Sequence, residues 1–216
     1  MCEQEADEER RAFGELKTAM DVTGFKTAYE KAVETVICIV RETAKMLELE
    51  CGREILSSVS GRVKRAESIQ RKLEKKKCEV TLGNAVVRLN DIAGIRATCY
   101  FLDDVYELAQ KLRLHPGLHF LKEKNYIEKP KTSGYQSLHL IVEVPVSLQD
   151  EVQWIKAELQ LRTLAMDFWA RLDHRLCYKK DIQAAKAVQK DLKEYAEIIS
   201  RVDSQMLNLR KRIDAL

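Results

Sequence analysis

Two stretches of strict apolar–polar alternation place a sheet at the centre of this chain. In Ser137–Val144, Leu138, Leu140, Val142 and Val144 fall on one side, and Ser137, His139, Ile141 and Glu143 on the other. Residues 152–162 repeat the pattern. Ile155, Ala157, Leu159 and Leu161 take the core side, which gathers Glu158, Gln160 and Arg162 on the opposite face.

Helical periodicity surrounds this pair. Residues 22–49 carry Phe25, Ala32, Val36, Ile39, Val40 and Leu47 at helical spacing, with no glycine or proline from 25 to 49, which predicts one long helix. Residues 57–64 read as a short strand and 67–76 as a basic helix with Ile69 and Leu73 on one side. The β-forming run GIRATCYF, residues 94–101, predicts a further strand bounded by Asp103 and Asp104. Asp103 is expected to cap the next helix, which carries Val105, Leu108, Ala109 and Leu112. After the break at His115-Pro116-Gly117, residues 118–128 form a strand, 130–134 a loop and 164–177 a helix.

The C-terminal segment has a period of its own. Val188, Leu192, Tyr195, Ile199, Val202, Met206, Leu209, Ile213 and Leu216 repeat at alternating spacings of four and three, a heptad seam that must bury against the N-terminal helix or another subunit. Strands amid helices, with long helices at both ends, predict a mixed α/β (α+β) fold: one domain over 1–216, with about five strands in a mixed central sheet. Its parts are a helical region over 1–52, a core over 53–180 and the heptad helix over 181–216.

Composition limits the function classes. No apolar run approaches the roughly 18 residues of a membrane span, and the acidic opening MCEQEADEER is unlike a signal peptide, so a cytoplasmic protein with no membrane partner is expected. The six cysteines include no CxxC pair, which argues against zinc and for free thiols, with Cys38 and Cys99 as small core residues. The net charge is only +3, but basic residues crowd 62–77 and 122–131, as a solvated face or as the lining of a polyanion site.

The sequence holds no GxxxxGK[ST] loop, GxGxxG, GxSxG or HExxH. It does hold polar residues where a strand is expected to be apolar. Asp91 opens the segment DIAGIR, Gly94 permits close approach of a ligand, and Arg96 lies inside the strand. Strand-borne carboxylates such as Asp91 and Glu158 suit Mg²⁺ beside nucleotide phosphates, unless Glu158 merely belongs to a solvated sheet face. Ser68 and Lys72 share a helix face, and Arg62 and Lys64 a strand face just upstream; together they suit a triphosphate. Tyr135, after a flexible Ser-Gly, suits base stacking as well as it suits capping a core.

The segments GRVKRAESIQRK, DIAGIRATCYFLDDV, KTSGYQSLH and AELQLRTLAMDFWARLDHRLCYK, in that order over residues 60–179, resemble the RelA/SpoT-type nucleotide pyrophosphokinases, specifically the small alarmone synthetases that lack a hydrolase domain. The resemblance implies a nucleotidyltransferase-like synthetase fold and transfer of the β,γ-pyrophosphate of ATP to the 3′-hydroxyl of GDP or GTP. It implies that Arg62, Lys64, Ser68 and Lys72 hold ATP, with Arg62 and Arg96 sandwiching adenine, and that Lys124 belongs to the same ATP side. Asp91 and Glu158 would bind Mg²⁺, with Glu158 also the base. Tyr135 would stack on guanine, with Lys131, His139 and Gln160 around the acceptor. Close relatives carry Arg where this chain has Lys124, and Asn, a guanine contact, where it has Asp167. No hydrolase dyad is present, so synthesis without hydrolysis is expected, by a homotetramer open to control by RNA or bound alarmone. Within the same fold, two other readings stay open. One is a toxin-type relative acting on adenine nucleotides or the tRNA 3′ end; the other is a non-catalytic RNA-binding or scaffold protein.

Overall fold

The computed structural model describes residues 3–22, 24–148, 151–177 and 182–216. Five strands form one mixed sheet: β1 (Leu56–Val63), β2 (Ala93–Cys99), β3 (His119–Asn125), β4 (Leu138–Leu148) and β5 (Glu151–Thr163), in the order β1-β2-β5-β4-β3. Only β2 and β5 run parallel. The mixed five-stranded sheet expected from the sequence is therefore present.

The helical N-terminal region resolves into α1 (Glu3–Val22) and α2 (Phe25–Cys51), separated at Gly24. Gly52 ends α2 in the left-handed conformation, where its N–H caps the Glu48 carbonyl at 2.9 Å. The helix lies across β1, β2, β4 and β5 on one sheet face, beside α5 (Leu102–Arg113). Val36 and Val40 of α2, Leu108 and Leu112 of α5, and Leu140 and Leu159 of the sheet share this core and are essentially inaccessible. A Cβ at Gly61 would collide with Val33, so glycine at this point of β1 lets α2 lie close. Because α2 and α5 cover only one face, the period of two in β4 and β5 fixes which side chains reach the other.

Several expectations are corrected. Besides the predicted basic helix, α3 (Ala66–Lys75), the chain forms a short helix, α4 (Leu82–Arg88), whose seven residues are too few to show a period. Its cap is Thr81, whose hydroxyl accepts from Asn84 N at 3.2 Å. Asp103 does not cap α5. The helix starts at Leu102, and the Asp104 carboxylate accepts from Phe101 N–H at 3.1 Å while clamping Arg53 through two bonds. Asp103 pairs instead with Arg210. Cys99 is buried, but Cys38 is exposed, because on α2 it falls between the stripe that faces the sheet and the solvent side. Cys2 and the Cys177 side chain lie outside the described residues.

The heptad segment forms α7 (Ile182–Ile213), which packs on α6 (Leu164–Cys177) and α5. The stripe turned inward is Leu192, Ala196, Ile199 and Asp203. Most of the seam is open on this chain: Tyr195, Val202, Met206, Leu209 and Ile213 are each about half exposed (54, 46, 50, 45 and 59%). Of the two expected partners, the N-terminal helix does not cover it. No helix among the described residues is long and apolar enough to cross a membrane.

Candidate active site

Cross-strand register assembles the site on the sheet face away from α2. One row runs Ser60, Arg96, Gln160, His139 and Lys124 across all five strands. The next runs Arg62, Gly94, Glu158 and Ile141. Gly94 stands between Arg62 and Glu158, and a Cβ there would meet nothing nearer than the Arg62 carbonyl at 3.9 Å, so the floor of the site is open. Asp91 sits two residues ahead of β2, in the turn that enters it, and lines the same cleft as Glu158.

The two carboxylates are matched with cations and donors. Asp91 Oδ2 accepts from Lys64 Nζ and Lys72 Nζ, both at 2.6 Å. Its Oδ1 is buried without a hydrogen-bond partner. Burial pushes the Asp91 carboxyl up, but the two lysines outweigh it and hold the group below the usual carboxylate value. Glu158 is 8% exposed, with His139 Nδ1 at 3.3 Å from Oε1 and Gln160 Nε2 donating to Oε2 at 2.9 Å. Burial again works upward, yet the hydrogen bond and charge of His139, with Gln160 and Lys72, hold Glu158 at about 2. Both groups are anionic at neutral pH.

The far end of the site is aromatic. Tyr135 hydroxyl meets His139 Nε2 at 2.9 Å and accepts from Arg162 Nη2 at 2.6 Å. His139 thus bridges Tyr135 and Glu158, with Nε2 toward the hydroxyl and Nδ1 toward the carboxylate. Lys131 Nζ lies 4.8 Å from the ring centre of Tyr126 and 4.7 Å from that of Tyr135. Burial lowers the Lys131 pKa despite the nearby Glu158 charge.

These residues share a cavity of about 970 Å³, lined by Arg62, Lys72, Asp91, Arg96, Lys124, Lys131, Tyr135, His139, Glu158 and Gln160 among others. Of the twelve candidate residues other than Asp167, ten line this space; Lys64 lines the cleft over Gly94, which adjoins it. Ser68 lines a neighbouring basic cavity with Arg62, Lys64, Arg65 and Arg71. Asp167 stands apart: it is buried, and its carboxylate takes Arg171 Nε at 2.6 Å, Arg162 Nη1 at 3.3 Å and Arg96 Nη1 at 3.4 Å. Sequence reasoning left several lining residues without a role, Arg171, Tyr126 and His174 among them. Arg171 lies one helical turn after Asp167, a spacing that could have revealed it. Tyr126 and His174 carried no such signal, because Tyr126 lies just past the end of β3 and His174 looks like any polar helix residue.

The donor set fits a hard divalent cation. Such ions are held by one or two carboxylates together with substrate phosphates, and the orphaned Asp91 Oδ1 is an oxygen ready for one.

Comparison with known proteins decides the family. The region found in RelA / SpoT proteins matches residues 61–183, more than half of the chain, and spans the whole site. The chain belongs to the RelA/SpoT family. Among relatives, it is 39% identical over 205 residues to the GTP pyrophosphokinase YwaC of Bacillus subtilis, covering 93% of this chain and 96% of that one. It is 31% identical to the GTP pyrophosphokinase YjbM of the same organism, covering 88% of each. Among solved structures, small alarmone synthetase 1 of Bacillus subtilis bound to its product pppGpp superposes with a TM-score of 0.79 at 32% identity, over 88% of this chain and 96% of that one. Small alarmone synthetase 2 of that organism gives 0.75 at 37%, over 86% and 97%. The RelA/SpoT resemblance and the synthetase fold read from the sequence are borne out.

Proposed function

We infer that this chain is a GTP pyrophosphokinase that moves the β,γ-pyrophosphate of ATP to the 3′-hydroxyl of GDP or GTP. The observation that carries the reading is the cation-lined cavity in which two ionised carboxylates, Asp91 and Glu158, share one floor, on a chain of this family. The acceptor oxygen forms a bond to the β-phosphorus, the bond from that phosphorus to the α,β-bridging oxygen breaks, and AMP leaves with that oxygen.

Residue roles follow from position. Arg62, Lys64, Ser68 and Lys72, on β1, α3 and the segment between them, form the donor side, and the Arg62 and Arg96 side chains flank the open floor at Gly94. Lys124 adds charge at the far end of the Arg96 row. Tyr135, Lys131, His139 and Gln160 form the acceptor side. Asp167 acts at that side through the three arginines it holds. Asp91 and Glu158 would hold Mg²⁺, which when bound neutralises charge on the phosphates. In a loose transition state the hydroxyl keeps its proton until late. A carboxylate as weakly basic as Glu158 then suffices to take it.

The test is a panel of acceptors. With labelled ATP, GDP and GTP are expected to give product, whereas AMP and tRNA are not; product on tRNA alone overturns the guanine reading. Tyr135→Ala is expected to raise the KM for the guanine acceptor about tenfold or more, since a base–aromatic stack contributes on the order of 1–3 kcal/mol.

The open seam of α7 supports a homotetramer formed through terminal helices, with a cleft between subunits where RNA or alarmone would act. Truncation before Val188 is expected to lower the mass measured by light scattering. An unchanged mass would remove the seam from assembly.

A further inference from the structure

The loop that carries Lys131 and Tyr135 does not rest on the main core. It rests on α7. Gly134, buried and with φ of 89°, lies so near this helix that a Cβ on it would be 2.7 Å from the Ala196 Cβ and 3.2 Å from the Lys193 Cα. A side chain is excluded there both by backbone conformation and by space. Next to this contact, Trp169 of α6 is 4% exposed, and its Nε1 donates to the Leu192 carbonyl at 2.8 Å. Trp169, Leu192 and Ala196 form a small apolar cluster separate from the main one, and the Tyr135 ring packs against it. The cluster therefore ties together the loop, α6 and α7.

The helix is itself fixed at two further points. Asp203, buried on α7, accepts from the Thr163 hydroxyl at 2.6 Å, and that hydroxyl accepts from Met166 N at 3.2 Å at the start of α6. Nearer the C-terminal end, Arg210 pairs with Asp103 and lies over the Phe101 ring. A helix held this way along its length is a rigid wall, not a dangling assembly arm. Besides α5, it touches the 130–136 loop, α6 and the end of β5, which carry acceptor-side residues; of the donor-side residues, Arg62 stands on β1, Lys64 in the segment after it, Ser68 and Lys72 on α3, Arg96 on β2 and Lys124 on β3.

We propose that the inner face of α7 is the seat of the acceptor site, with Ala196 and Trp169 as positioning residues that set where Tyr135 and Lys131 stand. The proposal rests on the reading of Tyr135 and Lys131 as acceptor ligands. It gives α7 a role within one subunit that is distinct from any assembly through its outer seam. Ala196 stands against Gly134 at the edge of a cavity of about 600 Å³ that both line, so bulk added at Ala196 that turns toward Gly134 meets the loop there and displaces it.

The experiment uses the full chain and measures binding directly by calorimetry, with GDP and with a non-hydrolysable ATP analogue. Ala196→Leu is expected to weaken GDP about tenfold and to leave the ATP analogue within about twofold, with the light-scattering mass unchanged. Trp169→Phe keeps the ring but removes the donor to Leu192; it is expected to weaken GDP alone, by a smaller factor, and decides the matter if the leucine variant does not fold. Equal loss of both nucleotides, or no loss of GDP in the folded variants, overturns the proposal. Tyr135→Ala separates the two layers of inference. If it leaves GDP binding intact, the acceptor reading itself fails; if it weakens GDP while the α7 variants do not, only the seat fails.

Discussion

Asp91→Asn is expected to lower turnover at least about 10³-fold while the protein stays folded, because a bound metal contributes several kcal/mol of charge stabilisation and each 1.36 kcal/mol is a factor of ten. Asparagine preserves the shape of the side chain and removes its charge. Two consequences follow. The buried Oδ1, which has no hydrogen-bond partner of its own, no longer offers an anionic ligand. Lys64 and Lys72, both 2.6 Å from Oδ2, also lose their common counter-charge and repel each other across it. The fold survives because neither lysine is fully buried, with 17% and 39% of their side chains exposed, so water takes over part of the solvation. Initial rates over a Mg²⁺ titration, with circular dichroism of the same preparations, check this. Turnover within about tenfold of the parent at saturating Mg²⁺ would sink the assignment of Asp91 as a ligand.

Glu158→Gln is expected to cost at least about 10²-fold in rate. A group held at about 2 is a poor general base at neutral pH, so most of that loss is charge and positioning, and only a minor part is proton transfer. Near-normal activity in the variant would exclude Glu158 from both roles. The same depression makes a stability prediction for the metal-free protein. A carboxyl whose value falls from 4.5 unfolded to about 2 folded stabilises the native state above pH 4.5, and that contribution is lost as the pH drops toward 2. Glu158→Gln never has it. Denaturant unfolding in chelator should therefore show the parent losing more stability than the variant over this window. Parallel curves would mean that His139 and Gln160 do not stabilise the charged form.

Much of the site was legible because a strand has a period of two. Once Leu159 and Leu161 are assigned to the core, Glu158, Gln160 and Arg162 have no choice but to share the other face, and the structure places them there. The alternation in β4 likewise sends His139 to the same face. Features that depend on short segments or on partners distant in sequence were less accessible. Asp103 and Asp104 are equivalent by local pattern; Arg53, fifty-one residues away from Asp104, and Arg210 on α7 decide which carboxylate serves which purpose. Cys38 sits in an apolar run, yet helical geometry turns it outward. Asp167 could be read only as a substitution in a familiar motif until Arg96, Arg162 and Arg171 were found around its carboxylate.

The C-terminal helix marks the division most clearly. Its heptad spacing is a property of the sequence, and a repeat of that kind dictates a helix with an apolar stripe. By itself the repeat cannot say which stripe faces inward. The inward stripe is chosen by contacts that exist only once the sheet and α6 are in place: the space that Gly134 leaves, the Trp169 bond to Leu192, and the Thr163 hydroxyl that Asp203 meets. Local periodicity sets the elements and the faces of the sheet, because it depends on backbone geometry alone. Tertiary packing sets the partners of Asp167, the seat of the Tyr135 loop and the open side of α7, because those energies belong to pairs of residues that the sequence keeps far apart.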